Sequence, residues 1–235
     1  MIWYTIEKIG KVVGPVLIHY LAMMIVIIIM DTVGLHVDAA FLTTLTAVLV
    51  LPLFLWMYRK DAKRKEAFAG ETVKTLPDGF PGEQEKQGRR PVKQKMKPAD
   101  YVSVAALGVG CNVVLSFLMN ILMVFLKLSN ETQEALFGSS LVFLVAGVGI
   151  IVPVMEEVLF RGLVYKRLRE YTDSVWTAVL AAAIFALYHG NAVQALFAFP
   201  MGLVLIAVYR KWDTLRAPAV FHMAVNLSSI LFSAL

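Results

Sequence analysis

Charged residues are scarce in this sequence, and their scarcity excludes a soluble globular protein. Asp, Glu, Lys and Arg make up only 17% of the 235 residues, whereas hydrophobic residues make up 59%. A soluble domain of this length needs a polar surface that this composition cannot supply. The apolar residues also occur in runs of about twenty, the length of a helix that crosses roughly 30 Å of hydrocarbon. Because backbone groups in lipid must be satisfied within their own segment, each run is predicted to be a helix.

The sequence also has only one cysteine, and no internal repeat or cleavage signal is evident in it. Cys111 is the single cysteine, so an intrachain disulfide is excluded, and its apolar surroundings predict a packed thiol. No internal repeat of the kind found in many transporters is present. The first apolar run is too long for a signal peptide and no small-residue cleavage pattern follows it, so we expect it to remain in the mature protein.

The apolar runs predict an all-α, polytopic transmembrane bundle of about seven spans. The fourth span is expected to continue as a helix to about Glu170. A two-span N-terminal segment (1–57), a basic loop (58–100) and a core that holds the catalytic cavity (101–235) follow from this division. The predicted spans cover residues 12–30, 39–57, 101–126, 138–161, 174–190, 193–209 and 217–235.

The basic residues are unevenly distributed, and their distribution predicts the orientation. The net charge is +5, but 12 of the 22 Lys and Arg lie in the loop 58–100, beside a membrane span. Anionic headgroups explain this charge, so membrane lipids and not nucleic acid are the expected partners. Loops rich in Lys and Arg stay in the cytoplasm. The N-terminus, the loop 58–100 and the links 166–173 and 210–216 are therefore predicted to be cytoplasmic, and the C-terminus lies outside.

Three groups of polar residues lie within apolar runs, where ionisable side chains are costly and mark functional sites. The first group is Glu156, Glu157 and Arg161. Glu157 and Arg161 are four residues apart, so they share a helix face and can pair. Glu156 points about 100° away and has no partner on its own helix. An unpaired carboxylate in a low-dielectric site is a candidate general base. We therefore predict that Glu156 is catalytic and that Glu157 and Arg161 support it.

The second group holds Phe185 and His189, and the third holds His222 and Asn226. His222 and Asn226 lie one helical turn apart, and two donors that converge on a carbonyl oxygen form an oxyanion hole. His189 is predicted to orient or deprotonate a water, and Phe185 to pack at the helix interface. Helical rise places Glu156 and His189 at similar depths, about 21–22 Å from the cytoplasmic side. His222 joins them only if the last helix tilts or begins deeper.

The three motifs together resemble a known family. The order Glu-Glu-x-x-x-Arg, Phe-x-x-x-His and His-x-x-x-Asn on successive apolar helices is similar to the CPBP family, the CAAX-protease and bacteriocin-processing proteins, also called Abi. The resemblance covers roughly residues 101–235, with no departure at the motif positions. It implies an endopeptidase that acts within or near the bilayer. Glu156 and His189 would activate water, and His222 and Asn226 would stabilise the oxyanion.

The resemblance leaves the cofactor open. The family is often described as metalloproteases, and a metal-free mechanism that uses glutamate is also proposed for it. Glu156, His189 and His222 could hold zinc with one position left for water. The chain has no His-Glu-x-x-His motif. We therefore expect a metal-free site, with zinc as the alternative.

Several functions are compatible with these motifs. The expected partner of a protease is a peptide or protein substrate, with or without a lipid group, such as a CAAX-type prenylated tail or a bacteriocin leader. The alternatives are a non-catalytic membrane scaffold or bacteriocin-immunity protein, and a transporter or proton channel with Glu156 as a relay. Intact motif positions favour the protease. His19 and Tyr188 are predicted to pack, and His36 to be solvated. The sequence does not indicate an oligomeric state.

Overall fold

The computed structural model describes residues 2–74, 95–127 and 129–233. These residues form eight helices and no strand, which confirms the predicted all-α fold. In chain order the helices are α1 (Ile2–Thr32), α2 (Ala39–Lys74), α3 (Pro98–Leu126), α4 (Glu131–Phe137), α5 (Phe143–Leu168), α6 (Ser174–Tyr188), α7 (Ala192–Trp212) and α8 (Arg216–Ser233).

Five of these helices are long and apolar enough to cross a membrane, namely α1, α2, α3, α5 and α7. Each of the other two predicted spans also falls on a helix. However, α6 has only 15 residues, or about 22 Å, which is short of the hydrocarbon thickness. The last helix, α8, has 18 residues. By length and composition, five helices in the described part of the chain can therefore cross a membrane. The shorter helices α6 and α8 complete the set of seven predicted spans.

The second helix extends further than predicted. The sequence predicted that a span would end near residue 57 and that a loop would follow, but α2 continues as a helix to Lys74. Residues 59–66 contain Arg, Lys, Ala and Glu and no glycine or proline, so the segment favours a helix after the apolar run ends. The part of the predicted loop at 75–94 lies outside the described residues. α5 ends at Leu168, close to the predicted Glu170.

An ion pair and a hydrogen bond to a backbone carbonyl hold three basic helix ends together. Arg167 near the end of α5 contacts Asp61 of α2 (Nε–Oδ2 2.7 Å) and donates to the carbonyl oxygen of Lys11 in α1. At the opposite end, Asp38 accepts hydrogen bonds from the backbone N–H groups of Phe41 and Ser140, and these bonds lower the pKa of Asp38. The basic ends therefore share one face, as the orientation rule requires. That this face is cytoplasmic stays a prediction.

The fifth helix is both the most buried span and the most irregular one. In the most apolar stretch of α5, 67% of the residues are buried, against 6% in the corresponding stretch of α3. Residues Phe143–Ile151 and Val158–Tyr165 are π-helical, and the α-helical stretch Val152–Glu157 separates them. π-Helical turns are rare and occur mostly near functional sites. The two glutamates of the first motif end this α-helical stretch, at the centre of the bundle.

A glycine allows α8 to pack closely on α3. A methyl group at Gly108 would lie 2.6 Å from the carbonyl oxygen of Phe221, the residue before His222. Four residues further along α3, buried Asn112 donates a hydrogen bond to Ser228 of α8 at 2.9 Å. The close approach and the hydrogen bond together fix the position of α8 against α3.

We expect Gly108→Ala to destabilise the protein, because the added methyl group meets a backbone oxygen that cannot rotate away. The free energy of unfolding should fall by about 1–3 kcal/mol. Gly110→Ala is the matched control on the same helix, since a methyl group there meets no atom within 4 Å. Thermal unfolding of the purified protein in detergent measures both variants. Equal midpoints for the two would contradict the close approach.

Candidate active site

A fully buried ion pair lies at the centre of the site. Arg161 donates to Glu157 (Nη1–Oε1 2.8 Å), as the four-residue spacing predicts, and both side chains are 1% exposed. A second guanidinium nitrogen donates to the backbone oxygen of Gly202 in α7 at 3.3 Å. The guanidinium group lies over the ring of Phe185 in α6, 4.6 Å from its centroid. Arg161 thus pairs within α5 and joins this helix to α6 and α7 through two further interactions.

The imidazole of His222 lies between the two glutamates. Its Nδ1 is 2.9 Å from Glu157 Oε1, and its Nε2 is 3.6 Å from Glu156 Oε2. Glu156 is therefore near a partner on another helix, although it has none on its own, as predicted. At 3.6 Å the Glu156 contact is too long for a hydrogen bond. One ring is thus fixed by Glu157 on one side and faces the Glu156 carboxylate on the other.

The second motif places His189 beside the same cluster. His189 is half-buried just after the last residue of α6, and its Nδ1 lies 2.9 Å from the carbonyl oxygen of Phe185. Because only a protonated Nδ1 can donate to a carbonyl, Nε2 carries the lone pair in the neutral ring. The rings of His189 and His222 both meet Phe185 edge to face, with centroids 5.0 and 5.9 Å away. Phe185 therefore contacts both histidines of the second and third motifs.

An irregularity in α5 holds Asn226. The Asn226 amide donates to the backbone oxygen of Val148 at 2.9 Å. In the π-helical register Val152 donates to Gly147, five residues earlier, and the next N–H in that register would serve Val148. That position is Pro153, which has no N–H. The Val148 oxygen is therefore left to accept from Asn226, and the second N–H of the amide is left for another acceptor.

An apolar groove of about 390 Å³ reaches Glu157 from between α3, α5 and α8. Glu157 Oε2 is buried and has no hydrogen-bond partner among the residues that the structure describes. Tyr101, Val154, Val158, Leu215, Val220 and Met223 line the groove. A hydrophobic side chain or lipid tail could thus approach the ion pair from the side of the bundle.

The zinc alternative finds no assembled ligand set. Within residues 2–74, 95–127 and 129–233, no three His, Cys, Asp or Glu side chains converge as a metal site. Glu156 and His222 are close to each other, and the rings of His222 and His189 both contact Phe185. Glu156, His189 and His222 are therefore not assembled as a three-ligand set in this arrangement.

Helix packing resolves the depth difference that the sequence predicted. His222 lies six residues into α8, or about 9 Å, whereas Glu157 lies eleven residues from the end of α5, or about 17 Å. The two side chains are nevertheless in contact. The start of α8 therefore lies deeper than the end of α5, or the helix is inclined, as the sequence required.

Three aromatic residues near the site carry no motif and were not predicted to belong to it. His19 and Tyr20 of α1 both contact Tyr188, the residue before His189. The sequence did contain one signal, because His19 is a histidine within an apolar span. However, residue spacing cannot predict a contact between two helices as far apart in the chain as α1 and α6.

Comparison with known proteins agrees with the three motifs. Residues 138–228 match the family model of the type II CAAX prenyl endopeptidase Rce1-like proteins, and this segment contains every motif residue. The resemblance to the CPBP family is confirmed. Five apolar helices and a membrane-protease family together identify an integral membrane protein.

One similar protein is named as a membrane peptidase. The Bacillus subtilis (strain 168) protein named "Putative membrane peptidase YdiL" is 27% identical over 77 residues. The match covers 33% of this chain and 32% of that protein, so the chain spans about a third of the relative's length. No solved structure matches the chain significantly.

Loss of the buried cation is expected to be costly. Arg161→Met leaves the Glu157 carboxylate buried without its cation, so the free energy of unfolding should fall by about 3–5 kcal/mol. Glu157→Gln in the same chain should restore part of this loss, because no uncompensated charge then remains. SDS-induced unfolding followed by tryptophan fluorescence measures both. Arg210→Met, at an exposed arginine, is the control, and a loss as large as that of Arg161→Met would argue against a special role of the buried pair.

Proposed function

We propose that this protein is an intramembrane endopeptidase that hydrolyses peptide bonds with water activated by Glu156 and His189. The observation that carries the proposal is the position of His222 between Glu156 and Glu157. A general base, an oriented imidazole and a buried counter-ion thus meet in one apolar site. The membrane-protease family of residues 138–228 supports the same activity.

The charges of the cluster support the role of His222 as a donor. Two carboxylates and one guanidinium leave one net negative charge in a buried site, where an uncompensated charge is costly. A proton on both nitrogens of His222 balances it. Nδ1–H then donates to Glu157, and Nε2–H is available on the Glu156 side. An imidazolium N–H in a site that excludes water stabilises a developing oxyanion strongly.

The reaction then proceeds in two balanced steps. Glu156 takes a proton from water, and the water oxygen bonds to the carbonyl carbon of the substrate. His222 and the second N–H of Asn226 donate hydrogen bonds to the resulting oxyanion. The intermediate collapses, the C–N bond breaks, and the proton on Glu156 passes to the leaving amine. His189 orients the attacking water through its Nε2 lone pair.

The substrate is proposed to be membrane-associated. The apolar groove that reaches Glu157 can accept a hydrophobic segment from the bilayer side. A CAAX-type tail with its lipid group and a peptide or bacteriocin leader both meet this requirement. We propose that the N-terminus and the loop 58–100 are cytoplasmic, because 12 of the 22 Lys and Arg lie in that loop and loops rich in basic residues stay in the cytoplasm.

A non-catalytic scaffold or immunity protein with the same fold is the second candidate. The buried network at Glu157 and Arg161 would serve a scaffold equally well, because intramembrane polar contacts hold helices together. Glu156 distinguishes the two, because its 3.6 Å contact with His222 is too long for a hydrogen bond and holds the helices less firmly than the 2.9 Å bond of Glu157. The scaffold would function without Glu156, whereas the protease would not.

Glu156→Gln is expected to abolish proteolysis, with a loss of at least about 10²-fold, because the amide cannot accept the proton. Mass spectrometry of new N-termini in membranes from expressing cells detects cleavage of any membrane protein, whichever one is the substrate. Glu170→Gln at the end of α5 is the matched control, since that carboxylate pairs with Lys65 at the helix ends. New termini that persist in Glu156→Gln would overturn the role of Glu156 as the general base. If the unaltered protein itself produces no new termini, the scaffold is favoured over the protease.

A metal-free site should be insensitive to chelation. We expect the purified protein in nanodiscs to cleave a quenched, farnesylated peptide with a CAAX terminus at the same rate with and without 1,10-phenanthroline. Elemental analysis of the same preparation should find less than one zinc per chain. Inhibition that added zinc reverses, with zinc bound at one per chain, would replace the metal-free mechanism by the zinc alternative.

A further inference from the structure

The first helix contributes a polar cluster directly behind the second motif. His19 of α1 is 2% exposed, although it lies in the middle of an apolar span. Both of its ring nitrogens lie 3.2 Å from the hydroxyl oxygen of Tyr188, and the two rings meet edge to face at 5.2 Å. A buried polar ring in a membrane helix is costly unless it has a partner, and Tyr188 is that partner.

The neighbouring Tyr20 holds the backbone at the same place. Its hydroxyl donates to the carbonyl oxygen of Tyr188, the last residue of α6. The last four carbonyls of a helix have no partner within the helix, so this bond satisfies a group that would otherwise be unpaired. α1 thus fixes both the side chain and the backbone of the residue that precedes His189.

Tyr188 also connects this cluster to the catalytic side. Its ring packs edge to face on Phe160 at 5.0 Å and on His189 at 5.6 Å. A shift of Tyr188 would therefore move His189, which packs on its ring and follows it in the chain.

We propose that His19, with Tyr20, is a positioning residue for His189 and acts through Tyr188. The inference rests on the proposed function for its kinetic consequence, but the positioning itself is structural. It assigns a role in the site to α1, which lies outside the family-matching residues 138–228. His19 touches no reacting atom, and its effect on hydrolysis passes entirely through the end of α6.

The first test is kinetic and uses the quenched, farnesylated CAAX peptide with the full-length protein in nanodiscs. We expect His19→Phe to lower kcat about tenfold and to leave KM within about twofold, because a displaced catalytic group affects the reaction more than binding. His19→Gln should recover most of the rate, since its amide can still bond the Tyr188 hydroxyl. In a Tyr188→Phe background, His19→Phe should have no further effect. Additive losses would show that His19 does not act through Tyr188.

The second test does not need turnover. Diethyl pyrocarbonate modifies accessible imidazoles, and mass spectrometry follows each of the four histidines separately. His36 is exposed and serves as the internal reference, whereas His222 is buried. We expect His19→Phe to raise the rate at which His189 is modified, relative to the rate at His36, by roughly threefold. Without the contact to Tyr188, the end of α6 unfolds locally more often and exposes His189 to the reagent. His36→Phe is the matched variant for the kinetic assay and should leave kcat unchanged.

The outcomes separate the two proposals. If Glu156→Gln abolishes cleavage but His19→Phe changes neither kcat nor the modification of His189, the positioning role is wrong and the protease stands. If Glu156→Gln still cleaves while His19→Phe accelerates the modification of His189, the proposed mechanism is wrong and the positioning stands. Thermal unfolding of each variant must accompany the assays. If kcat falls in proportion to the unfolding midpoint among the variants, and His19→Gln does not recover kcat, then His19 only packs and does not position His189.

Discussion

The buried pair of Glu157 and Arg161 is the interaction on which the rest of the site depends. Two charges removed from water require further hydrogen bonds to offset the loss of hydration. Arg161 finds them at Glu157 and at the backbone of Gly202, and its flat guanidinium covers the Phe185 ring. Glu157 in turn fixes His222. Because α5, α6, α7 and α8 each supply one of these groups, the requirement to satisfy one arginine arranges four helices.

The irregular backbone of α5 has a related cause. In lipid, a carbonyl that the helix does not satisfy must find a partner in a neighbouring helix. Pro153 removes one donor, the π-helical register shifts the others, and the Val148 oxygen turns to Asn226. The defect thus becomes the means of holding a side chain. The bond to Asn226 shows how a proline three residues before Glu156 can shape the site.

The sequence predicted the helices and the chemical groups better than the contacts between them. Helix type followed from the length of the apolar runs, and the pair Glu157–Arg161 followed from its spacing, because both are local properties. The contact of Glu156 with His222 joins residues 66 positions apart, and helical periodicity contains no information about it. The helical extension of α2 beyond residue 57 was missed because the prediction equated charge with a loop. Lys, Arg and Glu are good helix formers, so charge alone does not end a helix.

The contact of His19 with Tyr188 was also beyond what the sequence could predict. A lone histidine in an apolar span has no spacing partner, so packing was the reasonable expectation from sequence, and the structure gives it a hydroxyl instead. The family resemblance covers only residues that carry motifs, whereas the polar requirement of a membrane helix applies to every helix. His19 needs a partner wherever α1 packs, and Tyr188 offers one only if α1 lies against the end of α6. The polar group that is costly in lipid therefore also selects where the N-terminal helix docks, next to His189.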